Sequence, residues 1–230
     1  MAKERLDVLL VKKGFFNIRE KARSSIMAGV VYVNNEKADK PGMKYDDTVE
    51  IVIKENINPF VSRGGLKLQK ALSFFNIILE GKVVLDIGAS TGGFTDCMLK
   101  NGAARVYAID VGYGQLAWEL RNNNRVICME RTNIRYVKPE DIGEAASFAA
   151  IDVSFISLKL VLPVVKSIVA EESDIIALVK PQFEAGREKV GRKGVVRNPE
   201  VHKEVLLDFY ELCRQLGVVL KGVTHSPITG

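Results

Sequence analysis

The 230-residue sequence contains little cysteine and histidine, with three and two residues respectively. Scattered cysteines cannot form a disulfide framework, and without a Cys-x-x-Cys pair or a histidine cluster we expect no metal site. No apolar run approaches the roughly 18 residues that span a bilayer, and the start lacks the apolar centre of a signal peptide. We therefore expect a cytoplasmic protein that does not contact membranes, and the sequence implies no protein partner.

Composition favours one large core with a small appended domain. Hydrophobic residues make up 47% of the chain and charged residues 27%, which excludes disorder as a description of the whole. Lysine and arginine outnumber aspartate and glutamate by 33 to 28, giving a formal charge of +5. A basic surface suits a polyanionic partner such as nucleic acid, although a charge of this size is common among proteins.

The first 58 residues predict a small α+β domain. Two helical segments end at Gly14 and Gly29, and two strand-like stretches with turn residues between them follow. The Asn-Pro pair at 58–59 favours an extended chain. We therefore expect a linker at 59–63 and a second domain at 64–230.

From Gly64 onward the pattern alternates between amphipathic helices and short buried strands. The clearest strands are VVLDIG, RVYAID and DIIALVK. Strands that alternate with helices predict a parallel sheet covered on both faces. The second domain is therefore expected to belong to the α/β class.

A glycine-containing loop follows the first of these strands. Asp86 stands at the strand end, and Gly88, Gly92 and Gly93 precede the next helix. Ligands of open α/β sheets bind beyond the carboxyl ends of the strands, and glycine lets the backbone approach them closely. The spacing differs from GxGxxG. An acidic residue ahead of the glycines suits a ligand with an amino group and a sulfonium cation better than a pyrophosphate.

Two further strands end in acidic residues. Asp110 follows the second strand, where a carboxylate can accept both hydroxyls of a ribose, and Glu130 follows the third. Any one of these acids alone is more often a helix cap or turn residue. In series they resemble motifs I to III of class I S-adenosylmethionine methyltransferases. The cofactor residues expected from this resemblance are Asp86, Gly88, Ala89, Ser90, Thr91, Gly92, Gly93, Phe94, Asp110, Glu130 and Asp152.

Three other polar residues are candidates for the chemistry. If a ribose hydroxyl accepts the methyl group, a positioned base must take its proton, and a lysine near carboxylates can do so in its neutral form. Asp152 and Lys180 close the fourth and fifth strands and should face the same crevice. Lys67 lies on the helix before the first strand, where an exposed helix position explains it almost as well.

Four segments of the chain carry a specific resemblance: SRGGLKL, LDIGASTGGFTD, AAIDVSFISL and the stretch 178–202. They resemble the bacterial hemolysin A (TlyA-type) family of FtsJ-like ribosomal RNA ribose 2′-O-methyltransferases. The resemblance covers essentially the whole chain. It implies a Rossmann-like class I methyltransferase domain behind an S4-type RNA-binding domain. It also implies S-adenosyl-L-methionine as cofactor and ribosomal RNA or ribosomal subunits as partner.

The resemblance assigns catalytic roles as well. In FtsJ-like enzymes a Lys-Asp-Lys-Glu tetrad serves the reaction, and its first three members fall on Lys67, Asp152 and Lys180, with Lys180 as the base. The fourth member follows a Ser-Pro-Ile-x-Gly segment, and the sequence ends at that segment, 226–230. We therefore expect that one catalytic carboxylate and the last strand are missing from this chain, which puts its activity in question.

RNA-binding side chains are expected in two regions. The N-terminal segments resemble an S4 domain, whose two helices present basic residues to phosphates, although by charge alone they fit a solvated helix face. A basic tract with several glycines after the fifth strand is typical of loops that clamp a nucleic-acid backbone. The expected RNA contacts are Arg5, Arg19, Lys21, Arg23, Arg63, Lys189, Arg192 and Lys193.

Three other functions stay open at this point. A protein that binds RNA and holds the cofactor without turnover is consistent with the missing glutamate. A membrane-active hemolysin finds no long apolar segment to support it. A base amino-methyltransferase shares the cofactor fold, but its usual Asn/Asp-Pro-Pro-aromatic site is replaced here by Asp-Val-Ser-Phe at 152–155.

Overall fold

The chain forms two compact units, Met1–Pro59 and Phe60–Gly230. The computed structural model describes residues 3–27, 29–53 and 58–228. The end of the SPITG segment therefore lies outside the described residues. The second unit begins at Phe60, so most of the expected linker at 59–63 belongs to it.

The first unit combines two helices with short antiparallel strands. Its elements are β1 (Glu4–Arg5), α1 (Leu6–Lys12), α2 (Arg19–Met27), β2 (Val31–Val33), β3 (Glu36–Lys37), β4 (Lys44–Tyr45) and β5 (Ile51–Ile53). Strands β3, β2 and β5 form one sheet in that order, and β1 pairs with β4. Asn34 and Asn35 have left-handed φ angles of 50° and 66°, the conformation that a tight hairpin between β2 and β3 requires. The predicted turn at these asparagines is confirmed.

Asp7 is a fully buried carboxylate of this unit, within α1. It accepts hydrogen bonds from Arg5 Nε and Nη2, both at 3.0 Å, and from Arg19 Nε at 2.9 Å. The guanidinium of Arg5 holds the pKa of Asp7 below its usual value of 3.8. Two predicted RNA-binding arginines are therefore fixed by one buried carboxylate.

We expect Asp7→Ala to loosen the first unit by about 1–3 kcal/mol, because two charge-assisted contacts to a buried group are lost. Amide hydrogen exchange of α1 and α2 in the full chain measures this, with the exposed Asp39→Ala as control. Since the folded-state pKa of Asp7 is lowered, its stabilisation is present above pH 3.8 and is lost as pH falls further. A difference from the native chain that persists unchanged at pH 2 contradicts this account.

The second unit alternates helices and strands, as predicted. Its helices are α3 (Gly64–Phe75), α4 (Gly93–Lys100), α5 (Trp118–Arg121), α6 (Pro139–Ile142), α7 (Leu158–Ile168), α8 (Pro181–Glu184) and α9 (Pro199–Gln215). Its strands are β6 (Val83–Ile87), β7 (Arg105–Ile109), β8 (Val126–Met129), β9 (Ala146–Ile151) and β10 (Val169–Ala177). Single 3-10 turns occupy Ile134–Tyr136 and Arg187–Lys189.

The five strands that the structure describes in this unit are parallel, in the order β10-β9-β6-β7-β8. Neighbouring residues of a strand point to opposite faces, so Val84 and Phe148 join one apolar cluster while Leu85 and Ala149 join another. Helices cover both clusters, which is the arrangement that buried parallel strands need. The predicted α/β class with a parallel sheet is confirmed.

The sequence patterns of residues 114–122 and 158–170 predict one helix each, and both helices are shorter in the structure. The helix expected across 114–122 is reduced to α5, because Gly114 has a left-handed φ of 69° that does not continue a helix. The helix expected to continue to Ala170 ends at Ile168, where β10 begins directly.

Candidate active site

Acidic residues stand at neighbouring strand ends of the parallel sheet. Asp110 follows β7, Glu130 follows β8 and Asp152 follows β9, as the sequence predicts. Asp86 lies within β6, one residue before its end, and Lys180 comes shortly after β10. The connection after β6 leads to β7 on one side, and the connection after β9 leads to β10 on the other side. The border between β6 and β9 is therefore the topological switch point where open sheets bind ligands.

A crevice opens at this border. It is lined by Ser62, Gly64, Gly88, Ala89, Ser90, Thr91, Gly93, Phe94 and Asp152. Most of these are predicted cofactor residues. Ser62 and Gly64 were not predicted from the sequence. Ser62 was assigned to the linker, and Gly64 was used only to mark the start of the second domain.

The glycines of the loop fit a ligand-binding backbone. Gly88 has a φ of 88°, and a Cβ there would lie 2.5 Å from the carbonyl oxygen of Asp152. A Cβ on Gly93 would lie 2.3 Å from Ser62 Oγ and 2.9 Å from the Gly65 nitrogen. Because only hydrogen fits at these positions, the loop passes directly against the end of β9 and the start of α3.

Asp86 is completely buried beside this loop. Its Oδ2 accepts a 2.6 Å hydrogen bond from Thr95 Oγ1, while Oδ1 has no hydrogen-bond partner among the described residues. Burial raises the pKa of Asp86 to about 7. A buried carboxyl oxygen without a donor is uncommon, and it fits a site where a bound ligand or an ordered water supplies that donor.

Asp110 and Glu130 order the loops around the crevice. Asp110 accepts the backbone N–H groups of Ser90 and Gly112, each at 2.7 Å, one on each carboxylate oxygen. Each oxygen keeps a lone pair with which it can accept a ribose hydroxyl. Glu130 Oε1 accepts from Arg121 at 2.5 Å and from the Gln115 nitrogen at 3.2 Å, and Arg121 lowers the pKa of Glu130.

Lys67, Asp152 and Lys180 meet at the mouth of the crevice. Lys67 Nζ lies 2.9 Å from Asp152 Oδ2, and Lys180 Nζ lies 2.6 Å from Asp152 Oδ1. Lys180 also donates to Ser154 Oγ at 3.0 Å. All three side chains of the cluster are at most 20% exposed. The structure thus brings together the three predicted catalytic residues, from α3, the end of β9 and the start of α8.

Phe155 lies next to this cluster and was assigned no role from the sequence. Its side chain is 92% exposed and its φ is 63°, a conformation that is rare for an aromatic residue. The ring lies 5.1 Å from that of Phe183. Strained, exposed residues beside a crevice are functional candidates. The sequence feature that could have indicated a role for Phe155 is its place at the end of Asp-Val-Ser-Phe, where base-methylating enzymes carry an aromatic residue.

Residues 60–63 are packed against the rest of the second unit. Phe60 is buried, and the backbone nitrogen of Val61 donates to Asp96 Oδ2 at 2.9 Å. Asp96 also binds Lys100 at 2.8 Å. The segment therefore forms one wall of the crevice.

The predicted RNA-binding residues lie on exposed surfaces of both units. Lys21 and Arg23 lie on α2, and Arg63 precedes α3. In the basic tract Lys189 pairs with Glu204 at 2.5 Å, and the exposed residues Arg192 and Lys193 follow it.

Comparisons with known proteins agree with this division. A family model described as FtsJ-like methyltransferase matches residues 60–230, and an S4 domain model matches residues 4–51. The chain belongs to the FtsJ-like methyltransferase family. The predicted resemblance is confirmed.

Relatives of this FtsJ-like chain cover nearly its whole length. It is 56% identical over 99% of its residues to the "Putative rRNA methyltransferase YqxC" of Bacillus subtilis (strain 168), of which it covers 82%. It is 44% identical over 98% of its residues to the "16S/23S rRNA (cytidine-2'-O)-methyltransferase TlyA" of Mycobacterium tuberculosis (strain CDC 1551 / Oshkosh), of which it covers 85%. A solved "Putative hemolysin from Streptococcus thermophilus" matches with a TM-score of 0.77 and 52% identity, covering 100% of this chain and 84% of that one.

No helix among the described residues is long and apolar enough to cross a bilayer.

Proposed function

We propose that this chain is an S-adenosyl-L-methionine-dependent ribosomal RNA ribose 2′-O-methyltransferase with Lys180 as general base. The observation that carries the proposal is the Lys67–Asp152–Lys180 cluster beside the glycine-loop crevice. Membership of the FtsJ-like family and the TlyA relative's name support the reaction class.

The crevice residues fit S-adenosyl-L-methionine. The loop 88–94 would hold its amino-acid part, and Asp110 would accept its ribose hydroxyls. The buried Asp86 beside the loop has one carboxyl oxygen with no hydrogen-bond partner among the described residues. When bound, the cofactor supplies a sulfonium methyl group as the electrophile. Removal of the hydroxyl proton is left to side chains of this chain.

Lys180 is placed to take the proton of a ribose 2′-hydroxyl as that oxygen attacks the methyl group. Lys180 takes this proton as its neutral amine, and the remaining charges of Lys67 and Asp152 then balance each other within the cluster. Asp152 is held between both lysines, and its backbone nitrogen donates to Ile87 O at 2.9 Å. This rigid attachment to the sheet keeps the base within reach of its substrate.

A folded RNA is the substrate class that the rest of the chain supports. The first unit matches an S4 domain and displays basic residues on α2, and a second basic tract follows α8. We propose that these residues bind phosphates of ribosomal RNA or of a ribosomal subunit.

Labelled methyl transfer tests this function. The chain is incubated with methyl-labelled S-adenosyl-L-methionine and unmodified ribosomal subunits, and any modified nucleotide is located by mass spectrometry. Label on a ribose 2′-oxygen supports the proposal. Label on a base contradicts it.

A second candidate is an RNA-binding protein that holds the cofactor without turnover. Among the described residues no glutamate is ion-paired with Lys67 or Lys180, although the family tetrad includes one. Tight cofactor and RNA binding with no transfer to any ribosomal RNA would establish this alternative. If the pure protein caused dose-dependent leakage of lipid vesicles, that result would instead support the hypothesis of a membrane-active hemolysin.

We expect Phe155→Ala to lower methyl transfer about tenfold, because the exposed ring offers a stacking surface for a nucleobase, worth about 1–3 kcal/mol. Cofactor affinity should be unchanged. Phe155→Gly should lose activity similarly yet gain stability, by up to about 1 kcal/mol, because glycine relieves the left-handed backbone. Transfer rates and thermal midpoints measure both effects.

Phe74→Ala serves as control and should retain full activity. It also removes an exposed aromatic ring, but from the carboxyl end of α3, whereas the crevice lies at the amino end of that helix. Equal rates for the native chain and Phe155→Ala would remove Phe155 from the substrate site.

A further inference from the structure

Helix α8 carries the proposed base but is only four residues long. Lys180 is its N-cap, and the helix ends at Glu184. A helix of this length has almost no stability of its own, because nucleation costs more than a single turn returns. The position of Lys180 therefore depends on contacts that hold α8 from outside.

Glu184 makes the contacts that tie the end of α8 to another helix. Its Oε2 accepts from Ser157 Oγ at 2.6 Å, and its Oε1 accepts from the Leu158 nitrogen at 2.9 Å. Ser157 is the N-cap of α7, and its Oγ also accepts from the Lys159 nitrogen at 3.1 Å. A carboxylate at the amino end of an 11-residue helix is further favoured by the helix dipole. Glu184 is thus locked into the start of α7.

The segments 152–157 and 180–184 run side by side beyond β9 and β10. Lys180 contacts Asp152 and Ser154 at one end, and the rings of Phe155 and Phe183 meet in the middle. The Glu184 contacts close the other end. The proposed base, the carboxylate that faces it and the exposed aromatic ring therefore share one frame.

We infer that Glu184 is a positioning residue for methyl transfer, which fixes α8 so that Lys180 stays at Asp152. The inference rests on the proposed function of Lys180. Loss of both Glu184 contacts frees the end of α8, and misplacement of a reacting group by about 1 Å costs on the order of 100-fold in rate. Glu184→Ala should therefore slow transfer about 10- to 100-fold.

The test measures single-turnover transfer to ribosomal subunits at saturating labelled S-adenosyl-L-methionine, together with cofactor Kd and thermal midpoint. Four variants of the full chain are compared with the native chain: Glu184→Ala, Glu184→Gln, Lys180→Ala and the double variant. Glu172→Ala, at an exposed position of β10, is the matched control and should keep the native rate.

The expected result is a slower Glu184→Ala variant with a cofactor Kd within about twofold of native. Glu184→Gln retains one acceptor oxygen for the Leu158 amide and should recover part of the rate. In the Lys180→Ala background, Glu184→Ala should change the residual rate less than about twofold, because residues that act through one another are non-additive. A merely structural role would not produce that non-additivity.

Two outcomes overturn the inference: a native rate for Glu184→Ala, or the same loss in both backgrounds. If Glu184→Ala fails to fold, Glu184→Gln is tested in its place. A native transfer rate for Glu184→Gln, together with native amide protection of α7, then overturns the inference. A native rate for Lys180→Ala refutes the proposed base itself. This outcome depends on the single Lys180→Ala variant and is therefore distinguishable from a failure of the Glu184 inference.

Discussion

Replacing Lys180 by alanine should lower methyl transfer to ribosomal RNA by about 10²- to 10⁴-fold, the contribution typical of a positioned general base. The side chain lies 2.6 Å from Asp152 and forms no part of the glycine loop, so cofactor affinity should stay native. Transfer of labelled methyl groups and calorimetric cofactor titration measure the two quantities separately.

Lys180→Arg distinguishes a base from a fixed positive charge. Arginine keeps the charge and can still pair with Asp152, but it does not release a proton in proteins. We therefore expect it to be as inactive as Lys180→Ala. Lys82→Ala, at the amino end of β6 and away from the crevice, is the matched control and should have native activity. An active Lys180→Arg variant would show that the charge alone is needed.

Gly88→Ala should abolish cofactor binding at micromolar concentrations and destabilise the second unit by about 1–3 kcal/mol. The new methyl group would lie 2.5 Å from the Asp152 carbonyl oxygen and 3.0 Å from its carbon, and backbone atoms cannot move aside as a flexible side chain can. Either the glycine loop or the end of β9 must shift. The added methyl group therefore disturbs both the cofactor loop and the position of Asp152.

Gly81→Ala separates this steric effect from backbone strain. Gly81 has a similar left-handed φ of 70°, but a Cβ there would meet nothing within 4 Å. It should cost about 1 kcal/mol through strain alone and leave the cofactor Kd unchanged. Equal cofactor affinities for Gly88→Ala and Gly81→Ala would contradict the close approach of the loop to β9.

The sheet and its strand-end residues were predictable because the spacing of apolar residues, and the polar residue that follows each apolar run, are visible locally in the sequence. Asp110, Glu130 and Asp152 each follow a short apolar run, and parallel strands bring such residues to one edge. The contact between Lys67 and Asp152 joins residues far apart in the chain, so spacing left Lys67 ambiguous and only the family resemblance favoured a role.

Other parts of the site depend on tertiary contacts that no local pattern encodes. The exposure and left-handed backbone of Phe155 follow from how the chain leaves β9. The reduction of the 114–122 helix follows from Gly114 and from the carboxylates that bind the loop backbone. Residues 60–63 were expected to be part of a linker because they follow an Asn-Pro pair, yet the Val61 nitrogen is bound by Asp96 of α4.

The three residues of the lysine–aspartate cluster lie far apart in the chain. Lys67 precedes β6, Asp152 follows β9, and Lys180 follows β10. Contacts of such high sequence separation form late, after the intervening loops have closed. A nascent or partly folded chain can already contain the glycine loop and Asp110, and so resemble a cofactor-binding protein, while lacking the proposed base. On the proposed function, methyl transfer requires β10 and the start of α8 to be in place, and a chain that binds cofactor without transferring methyl groups is what a stalled folding intermediate would look like.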